Sequence, residues 1–370
     1  MSINLDIAPF NESFSPIDQQ FPLIIAGPCS AETRHQIIST ASQIAALNKV
    51  TYYRAGLWKP RTRPDGFEGL GEKALPWLAE AKAMTGLKMA VEVAMPAHVE
   101  ASLKAGIDLL WIGARTTANP FSVQEIAEAL QGVNIPVLVK NPLHPDLKLW
   151  IGALERINKA GVGKLGAIHR GFYTYDNGPF RNLPMWELPI ELKRLNPDLP
   201  VITDPSHISG KRSLVAEVAQ KALDLAMDGL MIESHFHPNN AKTDANQQLT
   251  PSSLGKILNK LNLRQEFGTA DFESILTEIR RDIDHIDSEL LQILSRRMEK
   301  IEEIGRIKME NNITILQIER LRQMMISRLK TGKELGLDSA FILKLLQLVH
   351  KESIQVQTKL LTKKPNNGDI

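Results

Sequence analysis

Short apolar runs alternate with amphipathic segments along most of the chain. The first run, residues 22–30, is apolar as far as Gly27-Pro28 and then places the single cysteine, Cys29. A run without polar alternation is typical of a strand covered on both faces, as in a parallel sheet. Seven similar runs follow, at 51–55, 88–93, 109–114, 136–140, 165–169, 200–203 and 229–232. Helical spacing separates most of them, as at 31–47, 97–105, 122–130, 151–160 and 213–227.

Eight strands that alternate with helices predict an α/β fold, and specifically a (β/α)8 TIM barrel. A doubly wound parallel sheet is the alternative, because the number of strands alone does not close a barrel. The predicted barrel domain covers residues 1–262. Its working site is expected at the carboxyl ends of the strands.

Composition excludes several classes of protein. The 370 residues are 43% hydrophobic and 5% aromatic, with a net charge of +2, so no basic, aromatic-rich surface for nucleic acid is expected. One cysteine allows no internal disulfide and favours a reducing compartment. The polar N-terminus lacks an export pattern, and no apolar run reaches the ~20 residues that span a bilayer. We therefore predict a soluble, cytoplasmic protein without nucleic-acid or membrane partners.

Charged or metal-binding side chains follow all eight predicted strands. They are Cys29, Arg54, Glu92, Arg115, Lys140, Arg170, His207 and Glu233. One charge at a strand end is ordinarily a solvated loop residue, but reactive groups at every end indicate a site. The four cations of this set are Arg54, Arg115, Lys140 and Arg170. Together with Lys59 and Arg61 they form a basic cluster that suits a small substrate carrying phosphate and carboxylate groups.

The other strand ends indicate a metal centre. Cys29, His207 and Glu233, together with Asp244 in the polar loop 239–248, offer sulfur, nitrogen and oxygen donors. A thiolate is a poor ligand for Mg²⁺, so this set favours a first-row transition metal. Taken singly, Cys29 also fits a small core residue, and His207 also fits a residue that hydrogen-bonds a turn. Their occurrence at matching strand ends favours the metal.

The hydrophobic period becomes helical after a polar segment, 263–271, which we interpret as a linker. Apolar residues recur every three or four positions from Ile275 to Ile304, which predicts one long amphipathic helix ending at Asn311-Asn312. Two shorter helices are predicted at 317–330 and 338–361, completing an all-α, three-helix domain over 272–361; the tail, 362–370, is predicted to be disordered. Two short helices cannot cover the long apolar stripe, so a dimer is expected.

Seven short motifs occur in order along the predicted barrel. They are Gly27-Pro28-Cys29-Ser30, Arg54-Ala55-Gly56 with Lys59-Pro60-Arg61-Thr62, Ile112-Gly113-Ala114-Arg115, Lys140-Asn141-Pro142, His169-Arg170-Gly171, Asp204-Pro205-Ser206-His207 and Met231-Ile232-Glu233. This series resembles the short, type Iβ form of 3-deoxy-D-arabino-heptulosonate 7-phosphate (DAHP) synthase over about residues 20–262. The alternative is 3-deoxy-manno-octulosonate 8-phosphate synthase, which typically has Lys-Ala-Asn-Arg where this chain has Lys59-Pro60-Arg61-Thr62.

The resemblance implies that phosphoenolpyruvate condenses with erythrose 4-phosphate. Lys59, Arg115, Lys140 and Arg170 would bind phosphoenolpyruvate, with Arg54 adding charge nearby, and the segment Lys59, Pro60, Arg61 and Thr62 would position erythrose 4-phosphate. Lys59 would also give a proton to the aldehyde oxygen, and Glu92 would manage the attacking water. Cys29, His207, Glu233 and Asp244 would hold a divalent metal that polarises the aldehyde, Mn²⁺ first, with Fe²⁺, Co²⁺ or Zn²⁺ as alternatives.

Cationic and polar positions in the helical domain form a second ordered set. Arg297 and Lys308 share one face of the long helix, whereas Arg280 lies several turns earlier on another face and is placed to reach the site of a partner. With Arg320, Ser353 and Gln357, they resemble the all-helical chorismate mutases over about 272–361. That family often has Asp and Glu where this chain has Gln317 and Leu321.

The second resemblance implies an intertwined homodimer that needs no cofactor for the mutase reaction. Arg280, Arg297 and Arg320 would engage the two carboxylates of chorismate, and Ser353 faces the same side as Gln357. Lys308 and Gln357 would hydrogen-bond the ether oxygen as its bond to carbon breaks. Catalysis would thus rest on Arg297, Lys308 and Gln357.

The whole chain is therefore predicted to be a bifunctional shikimate-pathway enzyme, a 3-deoxy-7-phosphoheptulonate synthase (transferase) and a chorismate mutase (isomerase). A further hypothesis is that prephenate binds the helical domain and inhibits the barrel. The expected assembly is a homodimer, with a homotetramer as the larger alternative. The competing interpretation of the helical domain is a non-catalytic sensor or dimerisation module.

Overall fold

Eight parallel strands pair in sequence order, and the last pairs with the first, which closes a barrel. The computed structural model describes residues 22–59, 66–176, 178–264 and 268–362. The strands are β1 (Leu23–Gly27), β2 (Tyr52–Ala55), β3 (Lys88–Val93), β4 (Leu109–Ile112), β5 (Val137–Lys140), β6 (Leu165–His169), β7 (Val201–Thr203) and β8 (Gly229–Glu233). The predicted TIM barrel is confirmed, and the doubly wound alternative is wrong because β8 hydrogen-bonds β1.

Apolar side chains on both faces of each strand explain the barrel. Every residue of β1 is buried, and its side chains alternate between two separate apolar clusters. Leu23 and Ile25 belong to the cluster that also contains Trp111. Ile24 and Ala26 belong to the larger cluster shared with the surrounding helices. This double coverage is what a continuous apolar run encodes in a parallel sheet.

Helices follow the strands of the barrel. They are α1 (Arg34–Ala45), α2 (Leu75–Thr85), α3 (Pro96–Lys104), α4 (Ala114–Thr117), α5 (Pro120–Ala129), α6 (Leu147–Lys159), α7 (Glu187–Leu195), α8 (Pro205–Ser209), α9 (Arg212–Asp224) and α10 (Pro251–Lys260). Side-chain oxygens start several of them, for example Thr33 before α1 and Asp146 before α6, as expected of N-cap residues. These helices cover the strands and leave the strand ends to the connecting loops.

Three helices make up the second unit, which the chain enters between residues 266 and 267. They are α11 (Ala270–Glu310), α12 (Ile318–Glu334) and α13 (Ser339–Thr362), so the predicted three-helix architecture is confirmed. The long helix begins at Ala270, inside the segment interpreted as a linker, because the Thr269 hydroxyl caps it by accepting a hydrogen bond from the Phe272 amide. No helix among the described residues is long and apolar enough to cross a membrane.

The apolar stripe of α11 is largely uncovered within one chain. Ile275 is 58% exposed and Ile286 is 60% exposed, whereas most large apolar residues of the barrel strands are completely buried. The stripe therefore has the periodicity of a packed face, but the described residues of the same chain leave much of it uncovered.

Candidate active site

The turn after β1 places Cys29 at the carboxyl end of the barrel. Gly27 has a φ of +151°, and a Cβ at this position would lie 2.1 Å from the backbone oxygen of Arg54. Only glycine permits both this backbone conformation and the close approach of β2. The Cys29 amide then donates to Gln248 Oε1 at 3.0 Å. Burial, reinforced by the Glu233 carboxylate, raises the pKa of the thiol to about 12.

Four potential metal ligands converge beside this turn. The ligand atoms of Cys29, Glu233 and Asp244 lie within 4.8 Å of one another, and Cys29 Sγ is 3.4 Å from Asp244 Oδ2. His207 Nε2 is 3.8 Å from both Glu233 Oε1 and Asp244 Oδ2. Ligands bound at ~2.0–2.3 Å around one tetrahedral ion lie about 3.5 Å from each other. The spacing of the four side chains therefore fits a metal ion.

Hydrogen bonding supports the same conclusion. Glu233 Oε1 is buried and accepts no hydrogen bond from the described residues. A buried carboxylate oxygen without a donor is costly, and a cation bound between Glu233, His207 and Cys29 would satisfy it. A cation would also favour the thiolate, which burial alone disfavours. The residues present thus fit the transition metal expected from their donor types.

Asp204 organises the histidine of this set. It caps the short helix α8, accepting a hydrogen bond from the His207 amide at 3.0 Å through Oδ1. Its Oδ2 accepts from Lys140 Nζ at 2.7 Å and lies 2.8 Å from His207 Nδ1. Burial opposes the charge of this carboxyl, but His207 and Lys140 hold its pKa well below the usual range. Asp204 directs the Nε2 of His207 toward Glu233 and Asp244.

A basic cavity opens next to the four ligands. Its walls include Lys59, Arg115, Lys140 and Arg170 beside Cys29, His207 and Asp244; Glu92, Ala114, Leu143 and Arg181 complete them. Three cationic strand ends, Arg115, Lys140 and Arg170, therefore share one space with three of the potential metal ligands. Pro60, Arg61 and Thr62 lie outside the described residues.

Arg54 occupies a different place from the other cations. It is 1% exposed, and its guanidinium carbon lies 5.0 Å from the centre of the Trp111 ring. Its Nη2 is 3.4 Å from Glu233 Oε1. Arg54 thus lies inside the barrel and supplies positive charge to the ligand carboxylate from behind.

Lys59 and Glu92 face each other across the cavity, with Lys59 Nζ 4.0 Å from Glu92 Oε2. Burial opposes the charge on Lys59, but Cys29 and Glu92 raise its pKa overall, so the ammonium form is present near neutral pH. A Cβ at Gly113 would lie 2.1 Å from Glu92 Oε1. The glycine therefore leaves the space that the Glu92 carboxylate occupies.

Sequence reasoning missed several residues of the site. Asn141 Oδ1 accepts from the Arg170 amide at 2.7 Å, and Asn182 Oδ1 accepts from Arg170 Nη1 at 2.6 Å. Asn141 and Asp204 each lie within one of the seven motifs, and that position is the signal by which the sequence could have identified them. Arg181 and Gln247 also belong to the site. They lie in long loops after β6 and β8, where neither hydrophobic periodicity nor a strand end indicates a functional residue.

The helical unit holds a second polar cluster. Arg297 Nη1 donates to Ser353 Oγ at 2.7 Å, and Gln357 Nε2 donates to the Ser353 carbonyl at 3.1 Å. Gln357 Oε1 is buried and has no hydrogen-bond partner among the described residues. Lys308 Nζ donates to the carbonyl of Ile315 at 2.6 Å. The structure thus joins Arg297, Ser353 and Gln357 directly, at the contact of α11 with α13.

The two other arginines predicted for this site, Arg280 and Arg320, lie on the surface of the unit. Arg280 and Arg320 are exposed, and no ion pair is found for either within the described part of the chain. Burial and the neighbouring Arg328 lower the pKa of Arg297. Arg328, on α12, was also missed by sequence reasoning. Cationic groups that face one another without a carboxylate are suited to an anionic ligand.

A closed parallel barrel with a basic cavity and potential metal ligands at its carboxyl end defines a TIM-barrel enzyme. The chain matches the DAHP synthetase I family over residues 16–267, more than half its length, and it belongs to that family. Residues 279–358 match chorismate mutase type II. Both are families of enzymes.

Individual relatives cover parts of the chain. A phospho-2-dehydro-3-deoxyheptonate aldolase of Thermotoga maritima is 33% identical over 226 residues, 61% of this chain and 64% of that protein. A bifunctional chorismate mutase/prephenate dehydratase of Buchnera aphidicola is 35% identical over 91 residues, 25% of this chain and 24% of that protein. A crystal structure of a Thermotoga maritima DAHP synthase superposes with a TM-score of 0.58 at 29% identity, covering 65% of this chain and 68% of that one.

Proposed function

We propose that the barrel condenses phosphoenolpyruvate with erythrose 4-phosphate, forming 3-deoxy-D-arabino-heptulosonate 7-phosphate and phosphate. The observation that carries this proposal is that the basic cavity is lined by Cys29, His207 and Asp244, with the Glu233 carboxylate beside Cys29 and Asp244. Two anionic substrates repel each other, and a cationic cavity offsets that repulsion while holding them together. Family membership supports the same reaction.

The side chains of the barrel divide this reaction between them. Arg115, Lys140 and Arg170 bind the phosphate and carboxylate of phosphoenolpyruvate, whose C3 attacks the aldehyde carbon. Lys59, held in its ammonium form, donates a proton to the aldehyde oxygen as that bond forms. Glu92 takes a proton from the water that attacks C2, and inorganic phosphate leaves. Pro60, Arg61 and Thr62 position erythrose 4-phosphate beside Lys59.

The metal centre supplies Lewis-acid polarisation of the aldehyde when it is loaded. Its ligands are Cys29, His207, Glu233 and Asp244, and a thiolate ligand favours Mn²⁺, Fe²⁺, Co²⁺ or Zn²⁺ over Mg²⁺. Arg54 Nη2 lies 3.4 Å from Glu233 Oε1 inside the barrel and offsets part of the negative charge of the donor set. We place Mn²⁺ first among these ions.

The decisive test offers the purified full-length protein either erythrose 4-phosphate or arabinose 5-phosphate with phosphoenolpyruvate. We expect phosphate release with erythrose 4-phosphate and a loss of about 10²-fold or more in the Arg115→Ala variant, which lacks one charged contact. A preference for arabinose 5-phosphate would instead assign the barrel to 3-deoxy-manno-octulosonate 8-phosphate synthesis. Release with neither acceptor would contradict the proposal.

For the helical unit we propose the rearrangement of chorismate to prephenate. Arg297 binds a carboxylate while Ser353 fixes its guanidinium, and Lys308 and Gln357 hydrogen-bond the ether oxygen. The amide nitrogen of Gln357 carries two hydrogens, and one of them donates to the Ser353 carbonyl, which leaves the second for the ether oxygen. Arg320 binds the second carboxylate, and Arg280 is contributed by the other subunit of a homodimer.

Two measurements separate catalysis from a sensing role. Chorismate loss, followed by absorbance, should occur with the full-length protein and be abolished by Arg297→Ala. Prephenate titrated into the phosphoenolpyruvate assay should inhibit the barrel if the helical unit regulates it. Inhibition without chorismate turnover would make the helical unit a sensor, and a flat response to prephenate would refute the feedback proposal.

Light scattering at several concentrations distinguishes the expected homodimer from a homotetramer.

A further inference from the structure

Each carboxylate ligand of the proposed metal centre has one oxygen engaged by a residue outside the donor set. Glu233 Oε2 accepts a hydrogen bond from Gln247 Nε2 at 2.6 Å. Asp244 Oδ1 accepts one from Arg181 Nη1 at 3.0 Å. The second oxygens, Glu233 Oε1 and Asp244 Oδ2, each lie 3.8 Å from His207 Nε2. These second oxygens face His207. Each also has one longer contact outside the donor set, at 3.4 Å: Glu233 Oε1 with Arg54 Nη2, and Asp244 Oδ2 with Gln247 Nε2.

Gln247 connects the two carboxylates into one network. Its Oε1 accepts from Arg181 Nη1 at 2.8 Å while its Nε2 donates to Glu233, and the same nitrogen lies 3.4 Å from Asp244 Oδ2. The side chain is 1% exposed, so water does not replace these contacts. The Gln side chain accepts a hydrogen bond from a cation through its oxygen and donates one to a carboxylate through its nitrogen. An ionised Glu has no hydrogen to donate, and neither does the side chain of Met.

The turn that carries these residues is itself constrained. Asp244 adopts a left-handed φ of +48°, and the Gln247 amide donates to the Asp244 carbonyl at 3.2 Å. Gln247 and Asp244 are thus parts of a single turn in the loop after β8. Arg181 reaches them from the loop after β6, where it also lines the basic cavity.

From this geometry we infer that Arg181 and Gln247 are positioning residues that act as a unit on the metal centre. Together they hold Glu233 and Asp244 in the orientation in which each offers a single oxygen, and Arg181 offsets part of their negative charge. Without the pair, either carboxylate is free to rotate, and Glu233 is free to pair more closely with Arg54. The inference rests on the metal centre proposed above.

Binding of Co²⁺ to the full-length protein tests the inference. The variants are Gln247→Met, which keeps the side-chain volume, Arg181→Met, and the double variant. We expect each single change to weaken Co²⁺ affinity by about 10–100-fold, the usual effect of losing a group that orients metal ligands. The ligand-field absorption bands of bound Co²⁺ should also change, because the carboxylates would coordinate differently. Because the two residues act as a unit, the double variant should bind Co²⁺ only slightly less tightly than the single variant with the larger loss of affinity.

Ser102→Ala is the matched control. The Ser102 hydroxyl is buried and donates to the His98 carbonyl at 2.6 Å, so the change removes one buried hydrogen bond away from the donors. It should lower the unfolding temperature while leaving the Co²⁺ affinity and spectrum as in the wild type. Wild-type affinity and spectrum in Gln247→Met, or fully additive losses in the double variant, would overturn the inference alone. Absence of Co²⁺ binding by the wild type would overturn the metal centre as well.

Discussion

The two polar clusters of this chain differ in how completely one chain builds them. In the barrel, Lys140 is paired with the buried Asp204, and Arg54 lies against the buried Glu233. In the helical unit, Arg297 is held by the neutral Ser353, and Arg280 is exposed. In the barrel site, these two buried cations thus have buried carboxylates as partners. The helical site has positive charge without a counter-charge among the described residues.

This difference follows from the architecture. A closed barrel brings all its strand ends to one rim, so a single chain supplies every group. Three helices with one of them much longer than the others leave an apolar stripe exposed, and we propose that a second copy covers this stripe and completes the ligand site. The comparison implies that the proposed synthase site tolerates dissociation into monomers, whereas the mutase site does not.

Metal removal is the largest expected effect and should separate the two sites completely. Treatment with a chelator, followed by desalting, should lower the phosphoenolpyruvate condensation by ~10³-fold or more, since a Lewis acid contributes several kcal/mol. Chorismate turnover by the same sample should not change. Restored condensation on adding Mn²⁺ completes the measurement. Equal losses in both assays would mean that the two sites are not independent.

Mixing two inactive variants should show whether the helical site is shared. Arg280→Ala and Arg297→Ala should each lack chorismate turnover when pure. If Arg280 serves the partner's site, random exchange of subunits gives one intact site in each mixed dimer and restores about a quarter of wild-type turnover. No recovery after mixing, despite subunit exchange confirmed by mass spectrometry, would place Arg280 and Arg297 in the same chain's site. Wild-type turnover by pure Arg280→Ala would show that Arg280 is not needed.

Breaking a buried pair of the barrel should cost stability as well as activity. Asp204→Asn leaves Lys140 without its carboxylate and should destabilise the barrel by about 3 kcal/mol, or roughly 10 °C in the unfolding midpoint. The matched control is Lys300→Ala, because Lys300 pairs with Glu303 on the exposed surface of α11, where ion pairs contribute little. Similar midpoints for the two variants would contradict the contrast between the buried and exposed pairs.

Acid sensitivity should be smaller and specific to the barrel. His169 is buried and donates from Nε2 to the Pro184 carbonyl, and burial lowers its pKa to about 4. The unfolded chain therefore binds the proton more readily, so stability falls as pH drops from about 6.5 toward 4. Because His169 stays neutral in the folded barrel, the free energy of unfolding should be about 2 kcal/mol lower at pH 5 than at pH 8. His169→Gln should lose less stability than the wild type over this range, measured by thermal unfolding.

Much of the barrel was predictable because its signals are local. Each strand is a short apolar run, and Cys29, Lys140 and Glu233 lie at or just after such a run. Arg181 and Gln247 gave no signal, since their contacts join loops that are distant in the sequence. The position of Arg54 inside the barrel depends on which way one strand residue faces, and the apolar run alone does not specify this.

In the helical unit, the same reasoning identified the three helices and the face of Arg297. It started α11 at residue 272, because hydrophobic periodicity begins there, whereas the cap formed by Thr269 sets the observed start at Ala270. The sequence does not identify Arg328 as a site residue, because nothing in its neighbouring residues separates it from an ordinary exposed arginine on a helix.

The contact between Cys29 and Asp244 has a consequence for biosynthesis. The two residues are 215 positions apart, and His207 and Glu233 are also synthesised late. At about 5–20 residues per second, Asp244 follows Cys29 from the ribosome by roughly 10–40 s. During that interval the thiol exists without its partners and before the barrel has closed. The proposed metal centre therefore forms only after most of the chain has been made, and until then the growing chain depends on its surroundings to keep Cys29 reduced.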